Sequence, residues 1–221
     1  MIEVCMAIYK RVERLPKLIE QLKAQTNQDF KLNIWNNSGG EIEVDFPEER
    51  LKIYNSLWNT GSIGRFRLIP YTSGKCIIFV DDDLDLQPDF IEYMYKMWKE
   101  NPDDIQGWFT RIFKGSYWDS IPYNAEDSEV DYVGTGGMVL SRDIFDKLGD
   151  ELYYPPKEVV RVEDLWLSYL AWREGMKLYA VEPHCKIEVD GNDQYKELIE
   201  YKEEAFNYLK NLGWETIYER M

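Results

Sequence analysis

A single histidine, His184, and three cysteines, Cys5, Cys76 and Cys185, are the only imidazole and thiol groups in this 221-residue chain. No CxxC or other zinc-like spacing occurs, which excludes a structural zinc site. The cysteines are odd in number, widely separated and flanked by apolar residues, so they read as buried free thiols of a reducing compartment. No apolar run approaches the ~20 residues that a bilayer span requires. Met1–Ile8 reads as a strand and lacks the basic start and cleavage site of a signal peptide. Together these absences lead to the expectation of a cytoplasmic protein with no membrane span. Positive charge is also scarce: the formal net charge is −15, which argues against nucleic acid or an anionic membrane as the main partner. A nucleotide stays open, because one bound cation can reverse the field within a single cleft. No G-x-G-x-x-G follows the first strand and no G-K-[ST] closes a glycine loop, which sets aside NAD, FAD and a P-loop.

What is present is an alternation of strand and helix. Apolar residues make up 44% and charged residues 30%, so one substantial core is expected, in a chain too short for two comfortable domains. Residues 2–8, Phe30–Trp35, Leu51–Tyr54 and Lys75–Val80 read as strands. Helices are expected near 15–25, where Leu15, Leu18, Ile19 and Leu22 share a face, over Ile63–Thr72, and after Pro88. This rhythm predicts an α/β fold with a mainly parallel, twisted sheet flanked by helices. The second half is less regular. Residues 112–130 read as an aromatic, acidic loop, Val130–Val133, Met138–Leu140 and Lys177–Val181 as short strands, Glu163–Glu174 as a helix and 193–210 as a closing helix. The expected organisation is one domain over 1–221. Residues up to about 105 form a nucleotide-binding half, and residues from about 106 form a smaller, irregular acceptor-binding half.

The most informative segment is Ile77-Ile78-Phe79-Val80-Asp81-Asp82-Asp83. An apolar strand that ends in three carboxylates places charge at the strand's C-terminal end, where open α/β sheets bind ligands. Adjacent carboxylates repel, and a hard divalent ion with diphosphate beyond it would relieve them. In an extended segment Asp81 and Asp83 point the same way and can face one ion; a solvated turn is the plain alternative. Glu163-Asp164 opens a helix, where acidic residues also serve simply as caps. A base separate from the metal site is what sugar transfer with inversion requires. Asn59-Thr60-Gly61-Ser62-Ile63-Gly64-Arg65 combines glycines with a cation suited to phosphate or ribose oxygens, or forms a basic surface turn. Gly134-Thr135-Gly136-Gly137 permits close ligand approach or a tight turn. His184 is either a packed residue or a late ligand beside the carboxylates. Trp108, Phe109, Tyr117 and Trp118 offer ring faces to sugars or fill the core.

In this order and spacing, the motifs resemble those of GT-A glycosyltransferases of the family 2 type over about residues 2–190. The resemblance implies a GT-A, Rossmann-like fold. It implies that Ala7, Tyr9 and Arg11 lie at the nucleobase, with Tyr9 stacking on it. Asn36-Asn37 stands where the family usually carries an acidic uracil contact, so the resemblance leaves the base identity less defined. Asn59, Gly61 and Arg65 match the N-x-G segment with its arginine. By the same resemblance Asp81 lies near ribose and metal beside Asp82, Asp83 ligates the metal, and Gly136-Gly137 lines the sugar pocket. Asp164 becomes the general base, and His184 a third metal ligand. A looser similarity to small GT-A enzymes encoded by large algal viruses implies surface-glycan assembly, a hexose or deoxyhexose donor and a host-cell cytoplasm. The implied activity is metal-dependent, inverting transfer from a UDP-sugar to a glycan hydroxyl, with Mn²⁺ or Mg²⁺. The alternatives are a sugar-phosphate nucleotidyltransferase, against which Tyr9-Lys10-Arg11-Val12 replaces the expected Gly-rich segment, and a GT-A-like binding module without catalysis.

Overall fold

The apolar runs become strands because both of their faces are covered, so they show no polar alternation. A computed structural model describes residues 1–188 and 198–221. From the N-terminus, β1 (Ile2–Ile8) leads through α1 (Leu15–Lys23) to β2 (Phe30–Asn36) and β3 (Leu51–Asn55). A ten-residue 3-10 helix, Ser62–Tyr71, then precedes β4 (Cys76–Phe79), β5 (Leu84–Leu86) and α2 (Phe90–Glu100). The second half runs β6 (Ile105–Gly107), β7 (Thr110–Phe113), β8 (Ser120–Pro122), β9 (Tyr132–Val133) and β10 (Met138–Ser141). It continues through α3 (Arg142–Leu148), α4 (Asp150–Tyr153), α5 (Glu163–Arg173), β11 (Leu178–Ala180), β12 (Cys185–Ile187), α6 (Ile199–Asn211) and α7 (Ile217–Arg220).

The main sheet has the order β11-β6-β10-β4-β1-β2-β3. Only β10 runs against its neighbours, so the sheet is mainly parallel, as expected. Side chains alternate between two apolar layers. Cys76, Ile78 and Val80 join one layer with α1 and α2, and Ile77 and Phe79 join the other with the 3-10 helix, α3 and α5. Inserting β10 beside β4 brings the glycine turn before it against the end of β4, where Gly137 N donates to Phe79 O at 3.0 Å.

The segment expected as a loop over 112–130 is partly strand, because β7 pairs with both β8 and β9 in a small antiparallel sheet. Strands of two to four residues are too short to leave a periodic signature. The helix expected over Ile63–Thr72 is a 3-10 helix with Pro70 near its end. The closing helix expected at 193–210 is α6, beginning at Ile199; residues 193–197 lie outside the described residues. Among the described residues, no helix is long and apolar enough to cross a membrane.

One buried carboxylate ties the N-terminal strands together. Glu3, 1% exposed, accepts from Asn33 Nδ2 at 2.8 Å on β2, and from Ser73 N at 3.1 Å and Gly74 N at 2.9 Å just before β4. Removing it orphans two buried donors, Asn33 Nδ2 and Gly74 N, each costing about 1–3 kcal/mol, and a third on the exposed Ser73. Glu3→Ala should therefore lower the unfolding free energy by about 3 kcal/mol or more, and Glu3→Gln by less, since it keeps an acceptor. Urea unfolding checks this, and equal losses for the two variants would refute it.

Candidate active site

At the end of β4, Val80 N still donates to Cys5 O at 3.1 Å, so the strand delivers its next residues to the C-terminal edge of the sheet. The chain then turns, with Leu84 N donating to Asp81 O at 3.3 Å. Asp82 and Asp83 sit in this turn and not in an extended segment, so strand alternation is not what brings Asp81 and Asp83 together. The turn does so, and it is fastened from just past β12, where Glu188 N donates to Asp83 O at 2.8 Å.

The carboxylates are held by two arginines. Arg11 Nη1 lies 3.0 Å from Asp82 and 3.2 Å from Asp83. Arg65 pairs with Asp81, lies 3.2 Å from Glu163 and donates to Thr135 Oγ1 at 2.7 Å. Burial raises the Asp82 carboxyl, opposed by Arg11. Burial first, and then the charge of Asp81, pushes Asp83 up to about 7, again opposed by Arg11. Burial also raises Glu163, opposed by Arg65.

Two adjoining clefts open on this turn. The first, about 910 Å³ including its mouth, is large enough for a nucleotide. It brings together Ala7, Tyr9, Arg11, Asn37, Asn59, Gly61, Arg65 and all three aspartates. Asn37 does not face it as a lone contact. Its Oδ1 accepts from Trp35 Nε1 and Thr60 N, and its Nδ2 donates to Gly61 O at 3.0 Å, so it splices β2 to the glycine segment. Gly61 has φ +77°, a backbone that favours glycine, and Gly64 lets Trp35 pack where a Cβ would meet its ring at 2.4 Å.

The second cleft is lined by Asp81, Asp83, Trp108, Tyr132, Gly136 and Asp164, among others. Consecutive residues on a helix diverge by about 100°, and the Glu163-Asp164 pair is divided accordingly. Glu163 turns inward to Arg65 and Ser62, while Asp164 faces the cleft. Asp164 accepts from Tyr132 Oη at 2.5 Å and from Leu165 N at 2.8 Å. Burial and Asp164 hold the Tyr132 hydroxyl well above the usual phenol range, so it stays a donor. Gly136 keeps this junction open, since a Cβ there would meet Asp81 Oδ2 at 2.7 Å.

Three expected residues lie elsewhere. Asn36 spends its amide on Gly40 O and Asn55 Oδ1, closing the turn after β2. Gly137, at φ +82°, packs behind the cleft against the Trp108 indole. His184 stacks on Tyr93 with ring centroids 3.8 Å apart, and its Nδ1 lies 3.0 Å from Asp89. The expected trio of Asp81, Asp83 and His184 therefore does not form. Among the described residues, no group of three or more His, Cys, Asp or Glu side chains is arranged to hold a metal. The carboxylate turn still fits a hard divalent ion in its chemistry, with an all-oxygen donor set, a raised Asp83 and the space that Gly136 preserves. Ser62, Thr135, Tyr132 and Lys202 also contribute and went unassigned in the sequence. Thr135 and Tyr132 were signalled only by standing inside and just before the glycine turn.

The sequence profile of the family described as Glycosyl transferase family 2 matches residues 3–160. The chain belongs to that family. Membership supports glycosyl transfer over nucleotidyl transfer. The chain is 29% identical over 99 residues to the uncharacterized glycosyltransferase YwdF of Bacillus subtilis, covering 43% of this chain and 37% of that one. It is 23% identical over 179 residues to an exostosin-like-3 homolog of Caenorhabditis elegans, covering 76% of this chain and 21% of that one. The chain thus spans well under half the length of these relatives. Residues 1–349 of S. aureus TarS, solved in complex with UDP, superpose with a TM-score of 0.59 at 14% identity, covering 88% of this chain and 62% of that one. That likeness shows a shared GT-A fold.

The raised Asp83 carboxyl has a consequence for stability. In the unfolded chain it loses its proton near the ordinary 3.8, whereas in the fold it keeps it up to about 7. The folded state binds more protons across that window, so stability falls as pH rises through it, and the full loss persists above it. Asp83→Asn in ligand-free protein should melt several degrees higher than wild type above pH 7. The difference should vanish near pH 4. Melting curves at the two pH values check this, and a pH-independent difference would refute it.

Proposed function

We propose that this family 2 protein is a metal-dependent, inverting transferase that moves a hexose or deoxyhexose from a UDP-sugar to a glycan hydroxyl. The observation that carries the reading is the sharing of Asp81 and Asp83 between two adjoining clefts, one suited to a nucleotide and the other containing Asp164. In this reading residues up to about 105 hold the nucleotide and the remainder meets the acceptor. The UDP in the TarS complex supports a uridine donor.

The base lies against Tyr9 and the Asn37–Gly61 splice, and the diphosphate points toward the carboxylate turn. Asp81 and Asp83 would hold the divalent ion, Mn²⁺ or Mg²⁺, which supplies positive charge for the departing diphosphate. Arg65 orients Asp81, and Glu163 with Thr135 holds Arg65 in place. The acceptor hydroxyl approaches Asp164, which takes its proton as the oxygen attacks the anomeric carbon. The bond from that carbon to phosphate breaks, and UDP leaves with the electron pair. Tyr132 keeps Asp164 oriented by donating to one of its oxygens. Trp108 and Phe109 border the transfer cleft, and Tyr123, 57% exposed, stacks on Trp108, so the acceptor's sugar rings meet aromatic faces.

Calorimetric titration with UDP, GDP and CDP, each with and without Mn²⁺, tests the donor class. UDP alone should bind with strong metal dependence, and Asp83→Ala should abolish that dependence. Binding of none of the three would overturn the reading. Asp164→Asn should leave UDP affinity within about twofold and lower turnover about 10²–10⁴-fold. A parallel collapse of UDP affinity would instead assign Asp164 to the donor site.

A further inference from the structure

Asp81, Asp83 and Lys202 are the only described residues that line both clefts. Lys202 comes from α6, far beyond residues 3–160 that match the family profile. We propose that Lys202 is a catalytic residue whose ammonium group meets the diphosphate of the bound donor; this rests on the nucleoside-diphosphate reading above.

Three observations support it. The junction of the clefts is where a diphosphate must lie if the base fills the first cleft and the anomeric carbon faces Asp164 in the second. Among the described residues lining the second cleft, Lys202 is the only cation, set against Asp81, Asp83 and Asp164. Finally, Lys202 is 9% exposed, and lysines are rarely so buried. Its ammonium sits 5.6 Å from the centroid of the Tyr117 ring, which holds it in place. Its helix is pinned on both sides of it. Trp118 Nε1 donates to Ile199 O at 3.1 Å, Tyr117 N to Glu203 Oε2 at 3.1 Å, and Tyr201 Oη to Lys157 O at 2.8 Å.

The chemistry is charge stabilisation. As the bond between the anomeric carbon and the phosphate oxygen breaks, its electron pair stays on the leaving diphosphate. Lys202 pairs with that growing charge. The acceptor's proton goes to Asp164, so no further reactant is needed. A lysine suits this role because its single compact charge can follow the phosphate as the bond lengthens.

The test compares uridine, UMP and UDP binding, with Mn²⁺ present, in wild type, Lys202→Met and Lys202→Arg. Methionine keeps the apolar stem against Tyr117 and removes the charge. Lys202→Met should weaken UDP about 10- to 100-fold while leaving uridine within about twofold, and Lys202→Arg should restore most of the UDP affinity. With donor sugar saturating, turnover of Lys202→Met should fall by at least the same factor. In wild type, UDP but not uridine should shield Lys202 from reductive methylation, a readout that needs no variant to fold. Uridine and UDP weakened equally, or neither weakened, together with unshielded Lys202, would overturn this role while wild-type UDP binding left the donor reading standing. A wild type that binds no UDP would overturn both.

Discussion

Arg65 is the point on which the site depends. Its guanidinium is buried against Asp81 at the end of β4, Glu163 at the start of α5 and Thr135 in the glycine turn before β10. Three elements far apart in sequence are therefore oriented by one planar cation. The desolvation of Arg65 is tolerable only because two carboxylates and a hydroxyl share it, and removing one partner from such a buried set costs several kcal/mol. These carboxylates in turn keep Arg65 charged, since burial alone would oppose its charge. The same network separates the roles of Glu163 and Asp164. One is spent on structure, so the other can face the cleft.

Charge is balanced locally although the chain carries a large negative excess. The first cleft is lined by three aspartates and by Arg11, Arg65 and Lys202. Arg11 and Arg65 pair with these aspartates, so in the proposed reaction a divalent ion and diphosphate would enter by exchanging partners. Asp83, raised by burial and by the charge of Asp81, is a carboxylate that a nearby cation would relieve. The acidic surface elsewhere has no part in this exchange.

Much of the first half was legible in the sequence because its signals are local. β1, α1, β2 and the Asp81–Asp83 terminus follow from apolar runs that stop abruptly, and the family motifs fall where those runs end. Asn37, Gly61 and Arg65 line the first cleft and Asp164 the second. The misplacements have equally local causes. Asn36 differs from Asn37 by one position, and strand alternation turns its side chain to the opposite side. The late histidine lies just before β12, where its carbonyl accepts from Gln87 N and Tyr93 and Asp89 claim its ring. The strand β7 and its neighbours are short enough that only pairing defines them.

The sequence by itself determined the class of fold, the carboxylate turn at the end of β4 and the acidic start of α5, because runs of buried residues and their breaks are written in consecutive positions. Only the tertiary structure decided which of those charges meet. The insertion of β10 beside β4 sets Gly136 against Asp81, the winding of α5 sends Glu163 inward and Asp164 outward, and α6 returns Lys202 to the junction of the clefts. Such meetings depend on distances between elements separated by up to about 120 residues of chain. No spacing rule within one strand or helix reaches that far.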